Sequence, residues 1–303
     1  MQVDYNILQE DIEMSLTKEQ WITLEKKASA LRHKTAEVCV WAKGAHIGGA
    51  YSSADVLTAL YYYVMNFSKD NYLDEDRDRL IISKGHAGVI TAPILADLGI
   101  VDEALLPTYN HTGSPFGVHL DKRKVPGLEA STGSLGHGLS IGLGLAMAAR
   151  LRNKKYFTYV LLGDGECDEG SVWEAAMSIS HFKVTNLITL VDRNKCMIDG
   201  RTEDVMSLEP FADKWRAFGF DVIEIDGHNM NEIVTALEQA KANTSDKPIC
   251  IILNTFKGEG VGFMRDNYKW HYGTLDEAQL AEAFRDLDAY EAVRIARAEK
   301  EGK

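Results

Sequence analysis

The chain has 303 residues, 45% of them hydrophobic, so it is long enough to bury a sizeable core. It carries 33 Lys and Arg against 45 Asp and Glu, a formal net charge of −12, which excludes long-range attraction to nucleic acid or to an anionic membrane. Any phosphorylated ligand must therefore be held by local groups such as a metal or backbone amides. The four cysteines lack CxxC spacing, the first residues lack a basic signal-peptide region, and no apolar run is long enough to span a bilayer. We therefore expect a cytoplasmic protein.

The first part of the chain is predicted to be mainly helical. A short N-terminal arm, residues 1–16, precedes a helix over residues 17–43, where apolar residues recur at steps of three and four. Thr17 and Gln20 have the spacing of a capping box, and Gly44 ends the helix. A second helix is predicted from Ser52 or Ser53 to Val64. A short buried strand, residues 80–83, then leads into a helix that ends near Leu98.

From residue 133 onward, strands alternate with helices. The predicted strands cover residues 156–162, 187–192, 221–225 and 249–254. The predicted helices begin at the glycine-rich turn 133–138 and cover residues 171–182, 209–218, 231–243 and the tail after residue 274. This alternation predicts an α/β fold, a mostly parallel sheet with helices on both faces. Because no repeat or Pro/Gly-rich boundary interrupts the chain, residues 17–303, including the helical tail, are expected to form a single domain.

The most informative stretch runs from Gly163 to Gly170. Asp164 lies at the end of one predicted strand, and Asn194, thirty residues later, lies just past the next strand. A right-handed crossover places the carboxyl ends of two such parallel strands side by side. A carboxylate and an amide oxygen then converge on one point, and Mg²⁺ prefers such ligands. Gly165 lets the backbone approach a phosphate closely.

This pattern resembles the thiamine diphosphate motif, in which Gly-Asp-Gly is followed after about thirty residues by Asn. From about residue 20 to residue 275 the chain resembles the N-terminal, diphosphate-binding half of transketolase. The segments that carry the resemblance are Gly44–Gly49, Arg77–Arg79, Ser83–His86, His119, Ala130–Gly136, Gly163–Gly165 with Asn194, and Lys257–Gly260 with His271.

The resemblance implies that the chain binds thiamine diphosphate and Mg²⁺, or Ca²⁺ or Mn²⁺ in its place. The implied metal ligands are the side chains of Asp164 and Asn194 and the carbonyl of Cys196. The implied cofactor-binding residues are His86, Gly133, Ser134, Leu135, Gly163, Asp164, Gly165, Glu169, Asn194, Ile198 and His271. Glu169 is also implied to join a carboxylate network at the dimer interface.

Four histidines are implied to surround the reacting carbon and to act in catalysis, namely His46, His86, His119 and His271. Histidine suits this task because its unperturbed pKa lies near neutrality, so that it can both donate and accept a proton. Three other histidines have simpler interpretations. His33 and His181 are interpreted as surface or structural residues, and His228 as a turn residue. The shared face of Gly138, Gly142 and Ala146 is interpreted as a helix-packing surface.

Two departures from the family pattern bear on the substrate. His137 stands where the family usually has Gln, which affects one polar contact near the cofactor. The segment 107–114 replaces one that normally contains Phe-Arg-Gln, and Asn110 lies near the position of the arginine. Because that arginine helps to bind the sugar phosphate in the family, a modified ketose, such as a sulfosugar or a branched sugar, becomes a hypothesis for the substrate.

The resemblance also predicts an incomplete active site. The family's middle domain carries the glutamate beside the pyrimidine ring, and this chain ends before that domain would begin. We therefore expect one subunit of a split transketolase, an α2β2 assembly with a C-terminal subunit, that moves a two-carbon ketol unit from a ketose to an aldose, with sugars or sugar phosphates as substrates. Two alternatives are the α-subunit of a 2-oxoacid dehydrogenase or decarboxylase and a non-catalytic binding subunit. The four histidine loops argue against the first, and intact Asp164 and Asn194 argue against the second.

Overall fold

The structure is a computed structural model that describes residues 15–302, so most of the predicted N-terminal arm lies outside the described residues. The helices are α1 Lys18–Trp41, α2 Ile47–Ser52, α3 Ala54–Ala59, α4 Gly88–Asp97, α5 Gly138–Leu151, α6 Gly170–His181, α7 Thr202–Val205, α8 Phe211–Ala217, α9 Met230–Lys241 and α10 Glu277–Glu301. The strands are β1 Arg79–Ile82, β2 Thr158–Gly163, β3 Leu187–Arg193, β4 Asp221–Asp226 and β5 Ile249–Asn254. A π-helical turn covers Leu60–Val64, and short 3-10 turns cover Gly85–Ala87, Glu103–Thr108, Gly165–Asp168 and Tyr268–His271.

The strands form one parallel sheet in the order β1-β2-β3-β5-β4. In the register, Gly163 at the end of β2 pairs with Asp192, and Arg193 at the end of β3 pairs with Asn254. The carboxyl ends of the central strands therefore lie level at one edge of the sheet. In open parallel sheets this edge is where ligands bind.

Both faces of the sheet are covered, as predicted. Side chains alternate between the faces along each strand, so Leu161 packs into one hydrophobic cluster and its neighbour Val160 into the other. Helices α1, α3, α4 and α9 contribute to the first cluster, and α5, α6 and α8 to the second. The predicted packing face of α5 is confirmed, because a Cβ atom at Gly142 would lie 2.3 Å from Val160 Cγ2.

Helix boundaries follow the local signals, with one exception. The capping box of Thr17 and Gln20 is present at the start of α1. The helix predicted from Ser52 or Ser53 to Val64 is present, since Ser53 is the N-cap of α3 and α3 continues into the π-helical turn; the short helix α2 before it was not predicted. Between α2 and α3 the Ser52 and Ser53 hydroxyls donate hydrogen bonds to the Asp192 carboxylate. The strand predicted at residues 156–162 lies at Thr158–Gly163.

A buried ionic cluster attaches the C-terminal helix α10 to the rest of the chain. Arg294 of α10 contacts the carboxylates of Glu25 in α1 and Asp55 in α3. Arg32 donates to the same Asp55 at 2.7 Å, and His228 Nδ1 lies 2.8 Å from it. The predicted tail helix is therefore held by charges in the interior. Within residues 15–302, no helix combines the length and the apolar character needed to cross a bilayer.

Candidate active site

Charged and polar side chains collect at the carboxyl edge of the sheet. Lys84 follows β1 by two residues, Asp164 directly follows β2, Asn194 directly follows β3, and Lys257 follows β5 by three residues. Because all these strands are parallel, their ends bring the four side chains to one place. They line one cavity of about 260 Å³.

Most of the predicted cofactor and metal residues line this cavity. They are His86, Leu135, Gly163, Asp164, Gly165, Asn194, Cys196, Ile198 and His271. Five further lining residues were not predicted as site residues, namely Gly49, Lys84, Glu166, Met197 and Lys257. Gly133, Ser134 and Glu169 do not line the cavity, and Ser134 and Glu169 are exposed, so the binding roles of all three stay predictions.

Asp192 holds two of the residues that line the cavity, Lys84 and Asn194. It is fully buried and pairs with the buried Lys84, whose Nζ also donates to the Gly49 carbonyl at 2.9 Å. Burial opposes ionisation of Asp192, but the charge and hydrogen bond of Lys84 outweigh it, so the pKa of Asp192 is lowered. The Nδ2 group of Asn194 donates to Asp192 at 3.0 Å. A carboxylate only accepts hydrogen bonds, so this contact fixes the Asn194 amide with its oxygen directed away from Asp192.

Asp164 is held by donors on both of its oxygens. Oδ1 accepts from the Gly165 amide at 2.8 Å, and Oδ2 accepts from the Lys195 amide at 2.6 Å and from the Arg193 guanidinium at 3.2 Å. Burial, followed by the charge of Asp192, raises the pKa of Asp164, while Arg193 opposes the rise. A cation at this point would favour the ionised carboxylate.

The donor set suits a hard metal ion that shares its shell with a ligand. The Asp164 carboxylate, the Asn194 amide oxygen and the Cys196 carbonyl belong to residues of the same cavity wall. Within residues 15–302, no group of three His, Cys, Asp or Glu side chains could hold a metal by itself. One carboxylate with two neutral oxygens therefore leaves positions open, and Mg²⁺ commonly fills such positions with phosphate oxygens and water.

Two glycines leave no room for a side chain near the site. In the cavity wall, a Cβ atom at Gly165 would lie 2.9 Å from Met197 Cγ. Gly133 has a φ of +148°, and a Cβ atom there would lie 2.8 Å from His119 Cδ2. Gly165 therefore brings backbone close to the cavity, and Gly133 brings backbone close to the His119 ring.

Glu166 connects the glycine-rich turn before α5 to the ends of β1 and β2. Its buried carboxylate accepts from the Gly136 amide at 2.8 Å, from the Gly163 amide at 3.0 Å and from the Ser83 hydroxyl. These bonds join the glycine-rich turn before α5 to the end of β2 and to the end of β1. Burial raises the pKa of Glu166, and the hydrogen bonds oppose that rise.

The four predicted histidines form one cluster beside the cavity. The ring of His46 lies 5.2 Å from that of His86, 5.1 Å from that of His271 and 6.0 Å from that of His119, measured between centroids. The rings of His86 and His271 are 5.2 Å apart. Lys257 Nζ lies 3.1 Å from His271 Nδ1, which connects the cluster to the cavity.

The surroundings keep these imidazoles uncharged. Burial, then His119 and Lys257, lowers the pKa of His46 to about 4. Burial, then Lys257 and His46, lowers the pKa of His271 to about 3. Burial also lowers the pKa of His86 and His119. Neutral imidazoles can accept protons and hydrogen-bond sugar hydroxyls at neutral pH. His46 Nδ1 is buried with no hydrogen-bond partner among the described residues, so a ligand hydroxyl could fill that role.

Three further histidines, predicted to be structural, surface or turn residues, lie outside this cluster. His181 is exposed, and His33 Nδ1 lies 3.0 Å from the Ser29 carbonyl oxygen. His228 lies in the predicted turn, but its side chain is buried. Its Nε2 accepts from the Phe256 amide at 2.9 Å, so its Nδ1 carries the proton that it shares with Asp55.

The residues that sequence reasoning missed carry a recognisable signal. Lys84 and Lys257 each precede a glycine and each follow a buried strand of the parallel sheet within three residues. The same strand-end argument that identified Asp164 and Asn194 applies to them. Glu166 has no such signal, because its acceptor role depends on a loop thirty residues earlier.

Comparison with known proteins agrees with this geometry. The family model described as "Transketolase, thiamine diphosphate binding domain" matches residues 24–295. The chain is 42% identical over 279 residues to one subunit of the apulose-4-phosphate transketolase of Phocaeicola vulgatus, covering 92% of this chain and 97% of that protein. It is 41% identical over 270 residues to the 6-deoxy-6-sulfo-D-fructose transketolase subunit SqwG of a Clostridium species, covering 89% and 98% respectively. The solved transketolase of Campylobacter jejuni superposes with a TM-score of 0.81 at 29% identity, over 90% of this chain and 45% of that one.

Proposed function

The chain belongs to the transketolase family, and on that basis we propose that it is one subunit of a split, thiamine diphosphate- and Mg²⁺-dependent transketolase. With a second subunit, it moves a two-carbon ketol unit from a ketose donor to an aldose acceptor. The main observation behind the proposal is that two groups of residues lie side by side. A cavity with metal-type oxygen ligands opens directly beside a cluster of four neutral histidines.

The cavity residues divide the binding of the cofactor among them. Thiamine diphosphate, when bound, supplies the nucleophilic carbon on which the ketol unit is carried. In this proposal Asp164, Asn194 and the Cys196 carbonyl hold the metal. The Gly165 amide and Lys257 bind the diphosphate, because both line the same cavity as the metal ligands.

Apolar contacts and glycine complete the cofactor pocket. Leu135 and Ile198 line the cavity, and Ile198 remains largely exposed in the chain. We assign both to contacts with the rings of the cofactor. Gly133 stays close to the same rings because its positive φ excludes a side chain.

The histidines act on the sugar rather than on the metal. Their lowered pKa values keep the imidazoles neutral, so that each can accept a hydrogen bond from a sugar hydroxyl. His46 contacts each of the other three rings, so it occupies the centre of the cluster. His86 and His271 are the two that also line the cofactor cavity, which suits groups that act where cofactor and sugar meet.

An exposed face beside the cavity supports a second subunit. Ile141 of α5 and Met177 of α6 are exposed apolar residues. Gly144, also exposed, has nothing within 4 Å of the position of a Cβ atom, although a glycine inside a helix costs about 1 kcal/mol relative to alanine. No contact among residues 15–302 explains this glycine, whereas a closely packed helix of another subunit would.

Glu169 places the start of α6 against the glycine-rich turn before α5. This residue is the N-cap of α6, and a Cβ atom at Gly136 would lie 2.7 Å from its own Cβ. We propose that the C-terminal transketolase subunit docks here and contributes the glutamate for the pyrimidine ring. The names of the relatives, each a transketolase subunit, support this arrangement, and an α2β2 assembly is its expected form.

The donor is proposed to be a modified ketose. The two relatives above are named for apulose-4-phosphate and for 6-deoxy-6-sulfo-D-fructose, a branched sugar and a sulfosugar. Asn110 is exposed, with a φ of +60°, on the turn where the resemblance would place a phosphate-binding arginine. A neutral side chain at that place fits a donor other than the usual pentose and heptulose phosphates.

The test is reconstitution with the neighbouring gene's product. The purified pair, with thiamine diphosphate and Mg²⁺, is offered 6-deoxy-6-sulfofructose, apulose-4-phosphate and fructose 6-phosphate, each with an aldose acceptor, and products are identified by mass spectrometry. We expect ketol transfer by the pair, none by either chain alone, and none by a pair that carries Asp164→Ala. Transfer by this chain alone would refute the split enzyme. Decarboxylation of pyruvate without ketol transfer would favour the 2-oxoacid alternative.

A further inference from the structure

Tyr272 is a fifth ring in the histidine cluster, and no role described above uses it. It follows His271 directly, and its ring meets the His46 ring edge-on, with the centroids 4.9 Å apart. This is closer than the distance from His46 to any of the other three histidine rings. The ring nevertheless remains 46% exposed.

The position of Tyr272 is fixed by the backbone on either side of it. Ala45 and Gly273 form an antiparallel bridge, with N–H···O distances of 2.9 and 3.0 Å in the two directions. This bridge aligns the residue after Ala45, which is His46, with the residue before Gly273, which is Tyr272. Gly44 leaves room for the phenol, since a Cβ atom there would lie 2.9 Å from the Tyr272 hydroxyl oxygen.

The exposure of the rings shows the direction in which the cluster opens. Lys257 is buried at the inner end, where it contacts His271. His46 is partly buried in the middle, and both His119 and Tyr272 are exposed. A sugar whose reacting carbons lie among the inner histidines therefore extends its remaining carbons toward the two exposed rings.

We propose that Tyr272 is a specificity-determining residue that contacts the part of the ketose beyond the reacting carbons. The proposal rests on the proposed function. A tyrosine ring offers an apolar surface to sugar C–H groups, and its hydroxyl both donates and accepts hydrogen bonds. It offers no positive charge to a phosphate or a sulfonate. Tyr272 therefore distinguishes donors by carbon skeleton and hydroxyl pattern and is insensitive to the nature of the terminal anion.

The proposal predicts different effects on two ratios of kcat/KM, each taken between two donors. The first compares apulose-4-phosphate with xylulose 5-phosphate, which differ in branching. The second compares 6-deoxy-6-sulfofructose with fructose 6-phosphate, which differ only in the terminal group. In the reconstituted complex, Tyr272→Ala is expected to change the first ratio of kcat/KM about tenfold or more, and Tyr272→Phe about threefold to tenfold through loss of one hydrogen bond. The second ratio is expected to stay within about twofold.

Binding without turnover supplies a second measurement. Saturation-transfer NMR on the metal-free complex reports which donor protons touch the protein. The signal at the protons beyond the reacting carbons is expected to fall in Tyr272→Ala and to persist in Tyr63→Ala, which removes an exposed tyrosine from the π-helical turn 60–64. Affinity for thiamine diphosphate is expected to be unchanged in both variants.

The outcomes distinguish a failure of the proposed function from a failure of the inference about Tyr272. If the wild-type complex turns over no ketose, the proposed function fails and the inference falls with it. If it does turn over ketoses while Tyr272→Ala leaves both ratios and the NMR signal unchanged, the inference alone is refuted. A loss of activity by the same factor for every donor also refutes it, because that result indicates a structural role.

Discussion

Replacing Lys84 with methionine is expected to destabilise the cofactor-free chain by about 3–5 kcal/mol. The side chains of Lys84 and Asp192 are 2% and 0% exposed, so their ion pair is fully buried. Without Lys84, the Asp192 carboxylate keeps only neutral donors, from Ser52, Ser53, Thr255 and Asn194. Removing one partner of a buried pair costs about 3–5 kcal/mol because the other charge stays buried and uncompensated. Methionine has a similar length, so little of the loss comes from a cavity.

The assay is urea unfolding followed by circular dichroism at pH 7.5, and the chain provides a matched control. Lys183 and Asp246 form a Lys–Asp pair whose side chains are 61% and 66% exposed. Lys183→Met is therefore expected to cost less than about 1 kcal/mol. The chemistry of the two substitutions is the same, so the difference between the two losses measures the effect of burial.

A double substitution distinguishes a buried charge from a general packing defect. Lys84→Met with Asp192→Asn removes the uncompensated charge and is expected to recover a large part of the stability that Lys84→Met loses. A loss below about 1 kcal/mol in Lys84→Met, similar to the surface control, would refute the reasoning. The absence of any recovery in the double variant would refute it as well.

Three other changes are expected to separate metal binding, stability and pH dependence. Asp164→Ala removes the only charged metal ligand proposed here and should abolish Mg²⁺-dependent binding of thiamine diphosphate in calorimetry; an unchanged Kd would contradict the metal assignment. Arg294→Ala breaks a buried ion pair and should lower the free energy of unfolding in urea by about 3 kcal/mol or more. Arg297→Ala, at a partly exposed position of α10, should lower it by less than about 1 kcal/mol. Equal losses in the two variants would contradict the burial argument. Because burial lowers the pKa of His46 to about 4, the folded chain binds fewer protons than the unfolded chain below pH 6.5, so this histidine should reduce stability progressively as the pH falls from about 6.5 toward 4. His46→Gln should make that slope shallower in urea titrations at stepped pH, and an equally steep slope would exclude this explanation.

Strand-end chemistry was predictable because it depends on local pattern and on one rule of topology. Asp164 and Asn194 each follow a buried strand, and parallel strands end at the same edge of a sheet. Lys84 and Lys257 follow the same rule and could have been identified by it. The residues at the carboxyl edge of the sheet can thus be predicted from the strand assignments and the chain direction alone.

Contacts between distant loops could not be predicted in this way. The hydroxyls of Ser52 and Ser53, between α2 and α3, bond to Asp192, 140 residues away from Ser52. The Arg294–Glu25 pair joins residues 269 positions apart. The approach of Tyr272 to His46 depends on a single backbone bridge. No local periodicity encodes these pairings, because they arise only when the whole sheet and its helices are packed.

The charges around the cavity explain how an acidic chain can hold a diphosphate. Lys84 pairs with Asp192, and Arg193 pairs with Asp164 as well as with the more exposed Glu203 and Glu209, so neither cation is left without a carboxylate. Lys257 contacts the His271 ring and a backbone carbonyl, and within residues 15–302 it forms no salt bridge; burial, then Lys84, lowers its pKa to about 8.

Glu166 also lines the cavity, so the cations Lys84, Arg193 and Lys257 are matched by the carboxylates of Asp164, Glu166 and Asp192, and the cavity has no excess of positive charge. Mg²⁺ alone would add positive charge to the cavity. A diphosphate alone would face the carboxylate of Asp164. Mg²⁺ and the diphosphate together form a net anion that complements Lys257. Each should therefore tighten the binding of the other, by an amount that is equal in both directions. The formal charge of −12 excludes long-range attraction of phosphates, but it does not oppose this binding, because the charges that decide it lie within the cavity.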